Sequence, residues 1–365
     1  MLKFIVFILL SFNFLSTVLA EDTIKIGALF SLSSWGAEGG YQELNGLRLA
    51  LDDINNSGGI NGKQVELVVE DFRSDLKQTV TSFKKLITVD KVPVVIGPNW
   101  AEFLEAVSPV ANSAEVPVLS PSGYNKTIFI KNKFSFTLMS PHEIAVQPLV
   151  EDIIKKGFKT VAVLVSENAY YQGIYEATKL LLKEAGISVE PVISFSTGET
   201  NFIPSILKLK KLKPDAIIAY LLEDGSLSKF FKQANEIKLG LPLYSSLGLE
   251  YSEIIKKNPE IADGAIYYHY LLVGGAEFLK RYETRFESSP GTASSRAYDS
   301  LFIVKNAIEK CGMTSLEIQD CLAKTDYQGI SSRIKFDQSG VITGIKHNSE
   351  LRIVKNGKFL EYSPR

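Results

Sequence analysis

Few residues in this chain combine the type and spacing that bond-making chemistry needs. His142, His269 and His347 are scattered, with no HxxH or CxxC spacing beside them, so a tetrahedral metal site is not expected. No serine stands in a G-x-S-x-G elbow, which removes the commonest hydrolase signal. The carboxylates Asp52/Asp53 and Glu70/Asp71 are sequence neighbours, and adjacent side chains diverge on a helix or strand, so solvated faces are expected for both pairs. The run "LKLKKLK" at 207–213 has the apolar spacing of a short helix with a basic exposed face. No catalytic set, metal or cofactor follows from these residues.

One stretch demands a closer reading: "FSLSSWGAEGGYQELNGLRLALDDINNSGGI", residues 30–60. It reads as a strand end, a Gly-rich loop and a helix, the order of a phosphate cradle. A dinucleotide fingerprint needs G-x-G-x-x-G directly after the strand. Gly27 instead lies inside the strand, and Gly36, Gly39 and Gly40 fit neither that spacing nor G-x-x-x-x-G-K-[ST]. Trp35 and Tyr41 flank the glycines, which suits stacking on an apolar or planar ligand better than holding phosphate.

The elements that must position such a site follow from the pattern. Lys3, the apolar run 4–10 and the small residues Val18 and Ala20 form a secretory leader with cleavage after Ala20. The residue directly after Ala20 is Glu21, not a cysteine, so no lipid anchor is expected there, and a periplasmic protein is. Of 365 residues, removal of those 20 leaves 345, more than one core usually supports, so two lobes are expected. With 40 basic against 41 acidic residues, nothing points to nucleic acid or an anionic membrane as partner. Cys311 and Cys321 suit one local disulfide in an oxidising compartment, with two free thiols as the alternative.

Short apolar runs at 24–30, 65–72, 92–97, 116–120, 160–166, 188–195 and 215–222 predict strands. Helical stretches at 44–56, 77–89, 143–156, 173–185 and 227–237 alternate with them. The βαβα order occurs before and again after "FSFTLMSPHE" (134–143), the expected crossing between lobes. Beyond "GAIYYHYLL" (264–272) come helices at 277–286, 296–310 and 314–323, then a tail of strands ending in a hairpin.

At this point the chain resembles a family. "NGLRLALDDINNSGGINGKQVEL", "VVIGPNWAEFLEAVSPVANSAEVPVLSPSGYN", "NFIPSILKLKKLKPDAIIAY", "AYDSLFIVKNAIEK" and "IKFDQSG" are similar, in order, to blocks of branched-chain amino-acid-type substrate-binding proteins of ABC transporters. The resemblance covers nearly the whole mature chain. It implies an α/β fold of two doubly wound Rossmann-like lobes joined by a three-crossing hinge, the Venus-flytrap form of a type I periplasmic binding protein. The lobes expected are 21–140 with 271–337 and 141–270 with 338–365, behind a leader at 1–20. A monomer is expected, closing on a small molecule so that membrane permease subunits recognise the closed form.

Carried over residue by residue, the resemblance places Trp35 as an aromatic cover and Tyr170, beside Tyr171, as the aromatic closing from the second lobe. The family's carboxylate-binding serine falls at Ala101, preceded by Trp100. In "SPSGY" the ligand-facing stretch is Ser122, Gly123 and Tyr124, with the tyrosine where a hydroxyl residue is usual and Gly123 offering its backbone. Glu223 and Asp224 stand where neutral or aromatic residues are common. The ammonium-binding acid falls near Leu247, with Glu250 the nearest carboxylate. An aliphatic amino acid held in the usual way would leave its carboxylate unpaired in a closed cleft, at a cost of several kcal/mol. Trp35, Trp100 and Tyr124 instead suit a planar or cationic group, with Glu223 or Asp224 as counter-charge, unless Trp100 and Tyr124 only pack the rim. A sensor built on the same lobes and a secreted enzyme are the other classes to weigh.

Overall fold

The computed structural model describes residues 23–130, 132–223 and 225–363; the leader at 1–20 and Asp224 lie outside them. The first apolar runs form β1 (Ile24–Phe30), β2 (Val65–Asp71), β3 (Val95–Ile96), β4 (Val118–Ser120) and β5 (Ser135–Thr137). They pair in parallel in the order β2-β1-β3-β4-β5. Connecting helices are α1 (Ala37–Asn56), α2 (Leu76–Thr88) and α3 (Ala101–Ala114). β1 is buried at Ile24, Ile26, Ala28, Leu29 and Phe30, as a central strand covered on both faces must be. α1 buries Leu44, Leu47, Ala50 and Ile54, one helical stripe.

The chain repeats this winding from α4 (His142–Lys155) onward. β6 (Thr160–Ser166), α5 (Ala169–Glu184), β7 (Ser188–Phe195), α6 (Ile203–Leu212), β8 (Ala216–Tyr220), α7 (Ser226–Glu236) and β9 (Leu243–Ser245) follow, then short α8 (Gly248–Tyr251) and α9 (Glu253–Lys257), and β10 (Ile266–Tyr270). The parallel order β7-β6-β8-β9-β10 repeats that of the first sheet. The chain then returns: α10 (Gly275–Phe286), α11 (Ser294–Cys311) and α12 (Ser315–Leu322) join the first lobe, where Leu301, Val304 and Ile308 share a core with Leu44 and Leu47. After the ribbon β11 (Asp326–Gln328) and β12 (Arg333–Lys335), the antiparallel pair β13 (Ser349–Lys355) and β14 (Lys358–Glu361) extends the second sheet beyond β10. Asn356 and Gly357, both at positive φ, make the tight turn that a two-residue hairpin needs.

Three segments run between the sheets and are tied together. Asn348 donates through its side chain to Ser140 Oγ, and its carbonyl accepts from the Leu271 N–H at 2.8 Å. Movement of one crossing is therefore passed to the others. No helix among the described residues is long and apolar enough to cross a membrane.

Two elements carry weak sequence signals. α3 contains Pro109, and β9 spans three residues, too few for a period to show. α1 begins at Ala37, so Gly39 and Gly40 form its first turn, not a loop. The acidic pairs are not spare solvated charges: Asp53 binds Arg281 and Tyr298, Asp52 binds Arg285, and Glu70 binds Lys85.

Cys311 and Cys321 are bonded, joining the end of α11 to α12. With a separation of 10 residues, loop closure favours the folded state by about 3 kcal/mol. Replacing both cysteines with serine should lower urea-unfolding stability by about that amount. Indistinguishable midpoints for the parent and the double variant would show that the bond does not support the fold.

Candidate functional site: the interlobe cleft

In a doubly wound sheet the connections run to opposite faces on either side of the switch point, and a crevice opens at the strand carboxyl ends there. Here the switch lies between β1 and β3 in one lobe and between β6 and β8 in the other. The loops that open are therefore 31–36 and 97–100, facing 167–168 and 221–223, with the loops after β4 and β9 beside them.

The first of these loops is braced from within. Asp71 accepts from the Leu32 N–H at 2.8 Å, the Ser33 hydroxyl at 2.7 Å and the Arg73 N–H at 2.8 Å. Its carboxyl is held below the usual range by those bonds, which together outweigh the burial that opposes them. Asn99 Oδ1 accepts from the Ser31 N–H at 3.1 Å, and Ser74 Oγ from the Gly36 N–H at 3.0 Å. These amides are already occupied, which excludes the phosphate cradle. Trp35 projects from the braced loop and is 60% exposed. Its ring lies 5.6 Å from Trp100 and 6.0 Å from Phe103, centroid to centroid.

The second lobe contributes a tyrosine wall. Tyr170 places its hydroxyl 3.1 Å from that of Tyr268 and 3.3 Å from that of Tyr270. The Tyr171 hydroxyl donates to Glu223 and lies 3.3 Å from Ser246 Oγ. Burial pushes both tyrosines well above their ordinary range, so they stay protonated donors. The lobes touch: Lys256 comes within 3.8 Å of Glu38, and the Tyr251 hydroxyl reaches Thr292.

Buried polar atoms without a partner gather where the lobes meet. They include Glu43 Oε2, Asn99 Nδ2, Trp100 Nε1 and Ser295 Oγ. Folded proteins pair most buried polar groups, so a cluster of exceptions calls for an external partner. Glu43, only 5% exposed, accepts from the Ser122 hydroxyl at 2.7 Å, and burial raises its pKa to about 7. Arg296, 9% exposed, donates through Nε to the Pro121 carbonyl at 2.8 Å. Its charge also acts on Tyr170, Tyr251 and Tyr270 across the cleft. Burial pushes His142 down to about 3, so it is neutral; its ring stands edge-on to Tyr124 at 4.9 Å and to Tyr170 at 5.4 Å.

The sequence matches the periplasmic binding protein family over residues 23–344. The chain belongs to the periplasmic binding protein family. It is a solute-binding protein and not an enzyme. Among its relatives is the leucine-, isoleucine-, valine-, threonine- and alanine-binding protein of Pseudomonas aeruginosa, 25% identical over 341 residues, covering 90% of this chain and 89% of that one. Among solved structures, a branched-chain amino-acid transporter substrate-binding protein of Streptococcus pneumoniae in complex with isoleucine superposes with TM-score 0.77 at 26% identity, covering 92% of this chain and 97% of that one. A solute-binding protein of an ABC transporter of Rhodopseudomonas palustris, in complex with 3,4-dihydroxybenzoic acid, shares the fold at TM-score 0.76 and 22% identity, covering 94% and 97%.

In this binding protein the residues expected at the cleft are arranged unevenly. Trp35, Ser122, Tyr170 and Glu223 stand on the switch-point loops or beside them. Trp100 is half-buried and lies over α1, where a Cβ on Gly39 would come within 3.1 Å of its ring. Ala101 is buried as the first residue of α3. Gly123 uses both backbone groups inside its lobe, its N–H donating to Ser120 Oγ at 2.7 Å and its carbonyl accepting from Thr137 at 2.7 Å. Tyr124, 5% exposed, stacks on Phe129 at 5.9 Å. Leu247 is buried, and its carbonyl accepts from the Glu250 N–H at 2.9 Å. Glu250 accepts through Oε1 from Tyr267 at 2.5 Å and Arg352 at 3.1 Å.

Glu43 and Arg296 are the site residues that motif reading missed. A signal was present. Glu43, Leu47, Ala50 and Ile54 share one buried stripe of α1, and Arg296, Ser300, Ile303 and Ala307 one of α11. A charge in the apolar phase of a helix is seldom buried without a task.

Proposed function

We propose that this protein captures a small molecule between its lobes in the periplasm and delivers it to the membrane permease of an ABC transporter. The observation that carries this reading is the set of buried, unpartnered polar atoms on α1, α11 and the β3–α3 loop at the interlobe cleft. A ligand bonded by both lobes stabilises the closed form in proportion to its differential contacts, and closure is what a permease can read. The same fold holds isoleucine in the Streptococcus pneumoniae protein and a dihydroxybenzoic acid in the Rhodopseudomonas palustris one. The ligand we expect is of that size, an amino acid or a compact aromatic compound.

In this reading the chain works as a monomer after removal of the leader at 1–20, without a lipid anchor. Its lobes are 21–140 with 271–343 and 141–270 with the tail from 344. Pairing of Val341 with Thr137, and of Thr343 with Lys335 at 2.8 Å, supports setting the third crossing just after residue 343, not at 337. Native mass spectrometry of protein purified without denaturant should show one small molecule per chain, released on unfolding. Thermal shifts with leucine, isoleucine, benzoate and their amides should then rank the class. A protein that carries nothing and responds to none of these compounds would remove the transport reading.

A further inference from the structure

We infer that Arg296 is the anion reader of the cleft: its free guanidinium nitrogens take the carboxylate of the ligand as a two-pronged pair, with Glu43 and Ser122 beside it. This rests on the solute-binding reading above and specifies the ligand class, a compact carboxylic acid.

The geometry carries the assignment. Among the described residues Arg296 makes one hydrogen bond, from Nε to Pro121, and no ion pair, although it is nine-tenths buried. A guanidinium has five donors in a planar fork that matches a carboxylate; the terminal nitrogens of Arg296 make no hydrogen bond among the described residues and are not sealed from solvent, so an entering carboxylate can reach them. The nearest acid, Glu43, does not close on it. Glu43 is instead bonded to Ser122 through one oxygen, leaving Oε2 buried without a partner. A carboxylate entering between them would satisfy the fork of Arg296. It would also accept from Glu43 whenever that acid is protonated, which its burial favours near neutrality. The other charged or titratable group acting with Glu43 is Tyr282 on α10, which is neutral.

Tyr170, Tyr251 and Tyr270 lie within the field of Arg296 from the opposite lobe. They supply walls and hydroxyls around the body of the ligand and make its binding a two-lobe event. The cleft therefore replaces the serine of the family pattern, absent at Ala101, with a charge delivered by the return helix α11. The carboxylate has two sources, an α-amino acid or an acid without an ammonium group, and one experiment separates them.

Ligand-free protein, prepared by unfolding, dialysis and refolding, is titrated calorimetrically with leucine, leucinamide, benzoate and benzamide at pH 6 and pH 8. We expect one or both acids to bind and each matching amide to bind at least about 100-fold more weakly. Leucine as the tighter ligand identifies an amino acid, and benzoate an aromatic acid. Arg296→Gln should lose acid binding by about the same factor, and Arg296→Lys should retain part of it because charge survives without the fork. Glu43→Gln should bind acids with the same affinity at pH 6 and pH 8, whereas the parent binds more tightly at pH 6. Circular dichroism of each variant checks that it folds. Amides or amines binding as well as acids would overturn the carboxylate assignment while leaving the transport reading intact. Acid binding unchanged in a folded Arg296→Gln protein would overturn the role of Arg296. No binding by any compound, in protein that also co-purifies with none, would sink the solute-binding reading itself.

Discussion

Gly46→Ala is expected to destabilise this protein by about 3 kcal/mol or more, although glycine-to-alanine in the middle of a helix ordinarily stabilises by about 1 kcal/mol. The sign reverses because α1 and α11 meet backbone to backbone at this position. A Cβ on Gly46 would overlap the Ser294 carbonyl oxygen, and main chain cannot swing aside. Ser294 Oγ and the Tyr282 hydroxyl both donate to the Gln42 carbonyl, at 2.8 and 3.0 Å, one turn before Gly46. Pushing the helices apart breaks those bonds and also moves Glu43 and Arg296, which sit on the same two helices. Urea unfolding of ligand-free protein measures the loss. A Gly46→Ala protein as stable as its parent would show that the two helices do not approach as described.

The second large effect is a loss of stability with rising pH, traced to one residue. Burial lifts the Glu43 pKa from 4.5 to about 7 in the folded state. Below pH 4.5 the carboxyl is protonated in both states and its contribution to stability is complete. As pH rises through about 7, the unfolded chain gives up its proton first, and the folded state must ionise a buried group. The difference, 7 less 4.5, corresponds to about 3 kcal/mol, lost over that interval and level above it. The charged or titratable groups acting with Glu43 are Arg296 on α11, which favours its ionised form, and Tyr282 on α10. Asp299, raised to about 6 by burial on α11, acts in the same direction. A comparison with Glu43→Gln isolates the first contribution. The variant should be more stable than the parent at pH 8 and close to it at pH 5. Parallel stability curves from pH 5 to 8 for the two proteins would contradict the burial of a carboxyl at this site.

Much of this protein was legible in its residues. The strand runs at 24–30, 160–166 and 188–195 fall on β1, β6 and β7 with identical limits; β1 and β6 show because buried parallel strands write themselves as near-unbroken apolar runs, and β7, an edge strand, because its residues alternate between partly buried and exposed. The doubled βαβα order announced two lobes, and the ordered blocks from "NGLRLALDDINNSGGI" to "IKFDQSG" announced the family. Trp35 and Tyr170 were visible as aromatics at strand ends. What was misread shared one cause. Glycines 39 and 40 looked like loop formers, yet they lie within α1 where the Trp100 ring and the Ser31 backbone pass close to them, and the close approach at Gly46, inside the expected helix, is likewise something no local pattern reveals. Gly40 faces the Ser31 carbonyl, and Gly46 faces Ser294, 248 positions further along the chain.

The sequence by itself determined the fold class, the family and the rim of the cleft, since these depend on period, strand-end position and motif order. Only the tertiary structure decided which polar groups are left without partners inside that cleft. Tyr124, prominent in the sequence, turns to packing on Phe129. Glu250 is taken up by Tyr267 and Arg352. Glu43 and Arg296, unremarked in a helix stripe, become the charged pair at the centre, because pairing is settled by residues 253 positions apart meeting in space, and desolvation by how closely the lobes close over them.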